Sequence, residues 1–211
     1  MKAKSKSKKL KMPTEFSLEP KGLVIAYIGA GKGKTTAAMG MAVRAAGDGK
    51  NVYILQFVKA KAATSDKRQV GEWPVSSEIN FFNQARIPSS LGSIENEQVG
   101  LGFVGILGDQ KEKDTHIRQA ILGLERAREI ITSGKYDLVI LDEIISALEV
   151  GLIEERDILD LIKLKSPLQH LVLTGHNHYP KILKACDLVT EMKMIRHPYY
   201  KGILAQQGID Y

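Results

Sequence analysis

The sequence predicts an α/β domain of three layers, in which helices cover both faces of a mostly parallel sheet of about six strands. Short apolar runs alternate along the chain with segments of helical spacing. The first alternation is a buried-strand pattern at 22–29, a glycine-rich loop that leads into a helix, and a second strand at 51–59. A strand, a helix and a strand in this order form a βαβ unit, whose two strands run parallel.

The later elements follow from the same patterns, with glycines and prolines at their boundaries. Ile117, Ile121 and Leu124 lie near helical spacing, and five glycines in 85–110 favour a long lid or binding loop over a core element. The remaining elements are expected as a strand at 78–84, a helix at 111–133, a strand at 136–143, a helix at 154–165, a strand at 169–175, a helix at 180–187 and a strand at 188–195.

Composition excludes several classes of protein. The 211 residues hold one cysteine, Cys186, which excludes an internal disulfide and a zinc cluster built on cysteines. No apolar run reaches the roughly 18 residues of a membrane span, and the first lysines lack the apolar segment of a secretory signal. We therefore expect a cytoplasmic protein without a membrane partner.

The positive charge is concentrated at the start of the chain. Residues 1–11 hold six lysines and no acid, which accounts for the net charge of +6. We expect 1–20 to be a basic, disordered tail and 21–211 to form a single domain. Contact of the tail with nucleic acid is the alternative, and the formally neutral remainder of the chain disfavours it.

The sharpest functional signal is the loop between the first strand and the first helix. Its glycines let successive amides point at phosphate oxygens, and the helix N-terminus adds a partial positive charge. Lys34 would reach along the phosphates, and the hydroxyl of Thr35 would ligate Mg²⁺. The loop is one residue shorter than the common G-x-x-x-x-G-K-[ST] pattern. The nucleotide-binding residues expected from it are Gly29, Ala30, Gly31, Lys32, Gly33, Lys34, Thr35 and Thr36.

A second signal is the acid pair Asp142-Glu143, which ends the apolar run YDLVILDE. The carboxyl end of a buried parallel strand lies on the ligand side of such a sheet. Next to a phosphate loop these carboxylates could hold Mg²⁺, directly or through water. Together the two motifs predict a P-loop NTPase fold of RecA-like architecture that binds a Mg-nucleoside triphosphate, and they leave open how the nucleotide is used.

The chain from about 22 to 211 resembles the corrinoid adenosyltransferases of the cobinamide and cob(I)yrinic acid a,c-diamide type. The short loop, the strand ending QFVK and the pair Gly102-Phe103 each match a family motif. The longest matching stretches are YDLVILDEIISALEVGLI, HLVLTG and the C-terminal ILKACDLVTEMKMIRHPYYKGILAQQGIDY.

The resemblance implies transfer of the 5′-deoxyadenosyl group of ATP to the cobalt of a reduced corrinoid, in adenosylcobalamin biosynthesis or corrinoid salvage. Cob(I) would be the nucleophile and triphosphate the leaving group. The family also implies Mg²⁺ or Mn²⁺, an electron donor such as a flavoprotein, and a homodimer. The implied site residues are Lys34, Thr35 and Phe103 in catalysis, Arg44 and Lys59 as further ATP contacts, and Thr35, Asp142 and Glu143 around the metal. For Lys59, a solvated strand end is the alternative.

Three departures from the family pattern bear on activity. Gly105 stands where the family has a second aromatic residue, Ala30 replaces the usual Asn or Asp, and His176 occupies the place of a common arginine. Two alternatives therefore stay open on the same scaffold. One is a P-loop ATPase or kinase with Glu143 as its base, and the other is a non-catalytic corrinoid or nucleotide sensor.

The histidines and the cysteine carry weaker signals. We expect His176 and His178 to be loop residues rather than a metal-binding pair, because no third ligand is visible near them in the sequence. His116 lies in a helix rich in charge, which favours a surface position. Cys186 has apolar neighbours, which favour a buried small side chain.

Overall fold

The computed structural model describes residues 19–60, 77–102, 111–204, 206 and 208–209. The strands are β1 (Val24–Ile28), β2 (Val52–Ala60), β3 (Ile94–Gly100), β4 (Leu138–Asp142), β5 (His170–Thr174) and β6 (Leu188–Glu191). The helices are α1 (Lys34–Gly47), α2 (Ser77–Gln84), α3 (Lys113–Thr132), α4 (Ile144–Glu149), α5 (Glu155–Leu164) and α6 (Pro180–Ala185), and Pro198–Lys201 forms a short 3-10 helix.

The strands form one sheet in the order β3-β2-β4-β5-β1-β6, and every pairing is parallel. The expected parallel sheet of about six strands is therefore confirmed. β5 lies between β1, which precedes the glycine-rich loop, and β4, which ends at Asp142. The ends of these three strands meet at one border of the sheet, which we call the carboxyl edge.

Successive side chains of each strand point to opposite faces and build two apolar cores. One core joins Val139 and Leu141 of β4 to buried residues of α3, α5 and α6. The other joins Leu138 and Ile140 of the same strand to buried residues of α1 and α2. Helices thus cover both faces of the sheet, as the three-layer prediction requires. Among the described helices, none has both the length and the apolar character needed to cross a membrane.

The strand expected at 78–84 is wrong, because this segment forms α2. Ile79 and Phe82 lie three positions apart, and both are buried in the core that also contains residues of α1. Phe81 between them is 65% exposed. Helical spacing therefore decides which residues are buried, whereas the short apolar run INFF resembles a strand when it is read without its partners.

The long loop expected at 85–110 is wrong in its middle, where β3 pairs with β2 in register. β3 is an edge strand, and only Gln98 and Val99 of its residues are buried. An edge strand needs few apolar side chains, so the sequence IENEQVG lacks the usual strand signal.

The surface position expected for His116 is also wrong, because the residue is only 2% exposed. It belongs to the buried face of α3, together with Ala120, Gly123 and Ala127. Gly123 lets this helix approach the sheet, because a Cβ there would lie 2.8 Å from Cγ2 of Val99. Small residues and one histidine therefore line the face where α3 packs against β2 and β3.

Candidate active site

The glycine-rich loop connects the end of β1 to the first turn of α1, as predicted. Two strand-end segments hold it from the side. The amide of Gly29 donates to the carbonyl oxygen of His176 at 2.9 Å, and the amide of Gly31 donates to that of Met192 at 2.8 Å. The segments that follow β5 and β6 therefore fix the start of the loop.

The glycines of the loop serve two different purposes. Cβ atoms at Gly29 and Gly31 would lie 2.5 Å and 2.7 Å from the carbonyl oxygen of Met192, so both positions are closed to any side chain. Gly33 has open space around it, but its φ of +103° lies in the left-handed region that favours glycine. Close packing thus requires Gly29 and Gly31, and backbone conformation requires Gly33 and also Gly29, whose φ is +104°.

The side chain of Lys34 is enclosed by the glycine-rich loop. Its side chain is 6% exposed, and Nζ donates to the carbonyl oxygens of Gly29 and Gly31 at 2.8 and 2.9 Å. Burial lowers the pKa of this ammonium, and the carboxylate of Glu143 opposes that shift. The loop therefore holds a desolvated cation, whose attraction for an anion is stronger than that of a solvated lysine.

The first turn of α1 is open to an anion. Gly33 caps the helix without a side-chain hydrogen bond, and no acidic residue lies in this turn. The first amides of a helix have no partner within the helix, and they carry the positive end of its dipole. The exposed residues of the loop are Ala30, Lys32, Gly33 and Thr36. The helix end thus has the properties of a phosphate site.

Asp142 is the centre of a buried hydrogen-bond network at the carboxyl edge. It is 0% exposed. Its Oδ1 accepts from Thr35 Oγ1 at 2.9 Å and from Thr174 Oγ1 at 2.8 Å, while Oδ2 accepts from Gln56 Nε2 at 2.9 Å. Gln98 Nε2 in turn donates to Gln56 Oε1 at 2.9 Å. The network links β2, β3, β4 and β5 to the first turn of α1.

Glu143 follows Asp142 in an uncommon backbone conformation, with φ at 62°. Its amide donates to Thr174 Oγ1 at 2.7 Å, and its carboxylate accepts from Ser146 Oγ. Nδ1 of His176 lies 3.1 Å from the same hydroxyl. Burial is the main cause that raises the pKa of Glu143, and repulsion from Asp142 is the second. The strand end therefore places a second carboxylate beside the loop.

The donors around Thr35 fit a magnesium ion. Thr35 Oγ1 uses its hydrogen on Asp142, which leaves the oxygen lone pairs for a cation, and all the nearby acidic donors are hard oxygens. Within the described residues, no group of three or more His, Cys, Asp or Glu side chains could hold a metal ion. Mg²⁺ keeps several waters and uses few protein ligands together with substrate phosphates.

The other predicted residues are not brought together in the same way. Arg44 lies in the last turn of α1, ten residues after Lys34, which is about 15 Å along the helix axis at 1.5 Å per residue. The contact of Arg44 with ATP stays a prediction. Lys59 lies in β2 near its carboxyl end. Phe103 and Gly105 fall outside the described residues.

Four polar residues of the site escaped the sequence prediction: Gln56, Gln98, Ser146 and Thr174. Gln56 and Thr174 each follow an apolar strand run, VYIL and HLVL, as Asp142 follows LVIL. A polar residue at the end of a buried strand was therefore the available signal. His176 and His178 are exposed in the loop after β5, as expected, and Cys186 packs partly buried against the larger core.

The chain is similar to known corrinoid adenosyltransferases. The family model described as ATP:corrinoid adenosyltransferase BtuR/CobO/CobP matches residues 20–211. A corrinoid adenosyltransferase of Sinorhizobium sp is 32% identical over 194 residues, which cover 92% of this chain and 82% of that protein. The corresponding protein of Pseudomonas aeruginosa is 30% identical, with 92% and 85% covered. Corrinoid adenosyltransferase CobA of Salmonella typhimurium is 30% identical, with 92% and 87% covered. The resemblance inferred from sequence motifs is confirmed.

Proposed function

Because this chain belongs to the ATP:corrinoid adenosyltransferase family, we propose that it transfers the 5′-deoxyadenosyl group of ATP to the cobalt of a reduced corrinoid. The nucleophile is cob(I), and the leaving group is intact triphosphate. The product serves adenosylcobalamin biosynthesis or corrinoid salvage. An electron donor such as a flavoprotein, a homodimer and a cytoplasmic location belong to the same proposal.

The observation that carries the proposal is the buried ammonium of Lys34 inside a loop that ends at an open helix N-terminus. In the proposed reaction, the electron pair of cob(I) forms the cobalt–carbon bond to C5′. The bond between C5′ and the phosphate oxygen breaks, and its electrons leave with the triphosphate. Donors fixed on the triphosphate stabilise the charge that develops there. Lys34 and the loop amides are such donors, and they need no rearrangement of the fold.

The reaction requires no protein nucleophile and no general base, because no proton leaves a reacting atom. The residues that fit Mg²⁺ are Thr35, through its hydroxyl, with Asp142 and Glu143 as carboxylates nearby. When bound, the ion supplies further positive charge to the phosphate oxygens. Asp142 also orients Thr35 through their 2.9 Å hydrogen bond. The network therefore positions a ligand-binding side chain even through members that do not touch the ligand.

The corrinoid is proposed to bind at the carboxyl edge, next to the connection between β3 and α3. Support comes from Gly102, whose amide donates to the carbonyl oxygen of Val58 at 3.0 Å near the end of β2. Phe103 follows directly in the chain. We propose that its aromatic ring contacts the corrinoid, as the family resemblance implies, and that Lys59 contacts the triphosphate from the neighbouring strand.

An anaerobic assay with MgATP and a chemically reduced corrinoid tests the proposal. The visible spectrum should show formation of the light-sensitive adenosylated product. Lys34→Ala should reduce the rate at least about 100-fold, since it removes a charge from the leaving-group site. Lys181→Ala on α6 is the control for the loss of one positive charge, because it removes an exposed, ion-paired ammonium. A protein that binds ATP but forms no cobalt–carbon bond would contradict the proposal.

A further inference from the structure

A carboxylate lies unexpectedly close to the phosphate loop. Glu191 ends β6, the strand beside β1. A Cβ at Gly29 would lie 3.1 Å from Cγ of Glu191. The next residue, Met192, accepts the amide hydrogen of Gly31. The side chain of Glu191 and the ammonium of Lys34 therefore border the same glycine, and an unpaired carboxylate there would repel a polyanion.

A lysine and a histidine converge on this carboxylate. Lys193 Nζ lies 3.3 Å from Oε2 of Glu191, and His178 Nε2 lies 3.9 Å from Oε1. His178 belongs to the loop whose His176 carbonyl holds the amide of Gly29. The two segments that fix the phosphate loop thus each contribute one nitrogen-bearing side chain. We call His178, Glu191 and Lys193 the β6 clamp.

The β6 clamp is built on the surface, where such pairs add little to stability. The side chains of His178, Glu191 and Lys193 are 54%, 38% and 70% exposed. Exposed ion pairs of this kind contribute between zero and about 1 kcal/mol to folding. Folding therefore gains little from Lys193 and His178 beside the loop, whereas a ligand with several negative charges could bind to both side chains.

We propose that the β6 clamp is a second binding subsite for the triphosphate chain, beside the phosphate loop. Lys193 and His178 bind the phosphate oxygens, and Glu191 is a positioning residue that holds both side chains beside the loop until the ligand arrives. The choice of triphosphate as ligand rests on the proposed function. The subsite itself requires only an oligophosphate that starts at Lys34.

The test measures binding of inorganic tripolyphosphate with Mg²⁺ by calorimetry. Lys193→Ala should weaken binding about five- to tenfold, and Lys193→Arg should restore most of it. Lys181→Ala is the control, because Lys181 is likewise an exposed, ion-paired lysine: its side chain is 77% exposed and its Nζ lies 3.2 Å from Oε2 of Glu155 on α5. This variant should stay within twofold of the unchanged protein. Circular dichroism checks that every variant is folded.

The possible results separate the two proposals. If Lys193→Ala binds tripolyphosphate as tightly as Lys181→Ala does, or if the unchanged protein does not bind it, the subsite is refuted even where adenosylation occurs. If Lys193→Ala binds tripolyphosphate selectively less well while no cobalt–carbon bond forms in the corrinoid assay, the subsite stands and the proposed reaction fails.

Discussion

Thr174→Val tests whether the hydrogen-bond network at the carboxyl edge stabilises both the fold and the site. The hydroxyl of Thr174 is fully buried. It accepts from the amide of Glu143 at 2.7 Å and donates to Oδ1 of Asp142 at 2.8 Å. Valine has almost the same shape but no hydroxyl, so the substitution removes both hydrogen bonds without leaving a large cavity.

The structure sets the expected magnitude. An unsatisfied buried amide costs about 1–3 kcal/mol, and loss of a hydrogen bond to a charged group costs about 1.5–3 kcal/mol. Because both bonds share one hydroxyl, the two costs are not independent, and we expect a total of about 2–4 kcal/mol. For a chain of this length, that corresponds to a fall in the melting temperature of roughly 5–15 °C.

Urea unfolding followed by circular dichroism measures the effect, and Thr174→Ser is the control. Serine keeps the hydroxyl and loses one methyl group, so it should cost only about 1 kcal/mol. Thr174→Val should also weaken ATP binding, because the backbone of Glu143 and the carboxylate that orients Thr35 both lose a partner. A valine variant within about 0.5 kcal/mol of the unchanged protein, or equal to the serine variant, would refute this reasoning.

Three further results are expected. Gly31→Ala should abolish ATP binding, because its Cβ would lie 2.7 Å from backbone atoms, whereas Gly40→Ala in the open middle of α1 should raise stability by about 0.5–1 kcal/mol in urea unfolding. The hydrogen bond from Lys21, and to a lesser extent the one from a backbone amide of β1, lowers the pKa of Asp187. The ionised carboxylate of Asp187 therefore stabilises the fold above its unfolded-state pKa, and this contribution is lost as the pH falls through its folded-state pKa. The difference in stability between the unchanged protein and Asp187→Asn should accordingly shrink below about pH 4. Burial raises the pKa of the Cys186 thiol to about 11, and alkylation by iodoacetamide at pH 8 should accelerate at least about 100-fold when urea unfolds the chain; equal rates would contradict that burial.

The sequence was sufficient for the parts of the site that consist of one continuous segment. The loop at 29–36 and the acid pair at the end of β4 could be predicted because each lies at the end of an apolar strand run. The partners of Asp142 could not be predicted from such a segment. Gln56 and Thr174 reach it only because β2 and β5 flank β4 in the sheet, and strand order is a long-range property.

The incorrect predictions of fold elements have the same physical origin as the missed site residues. The apolar run in α2 is compatible with a strand or a helix when it is considered alone. Its burial in the core that contains α1 favours the helical spacing of its apolar residues. β3 was missed because an edge strand buries only Gln98 and Val99. Arg44 lies ten residues after Lys34 on the same helix, and its contact with ATP stays a prediction.

The fate of the phosphates of ATP distinguishes the proposed transfer from the alternative functions most directly. The decisive measurement is ³¹P NMR of an anaerobic reaction with MgATP and reduced corrinoid, with the adenosylated product counted by its visible spectrum in the same sample. The proposed mechanism predicts one intact triphosphate for each cobalt–carbon bond formed. Orthophosphate with ADP and no cobalt–carbon bond would contradict it and would identify an ATPase or kinase on this scaffold, and ligand binding without turnover would identify a sensor.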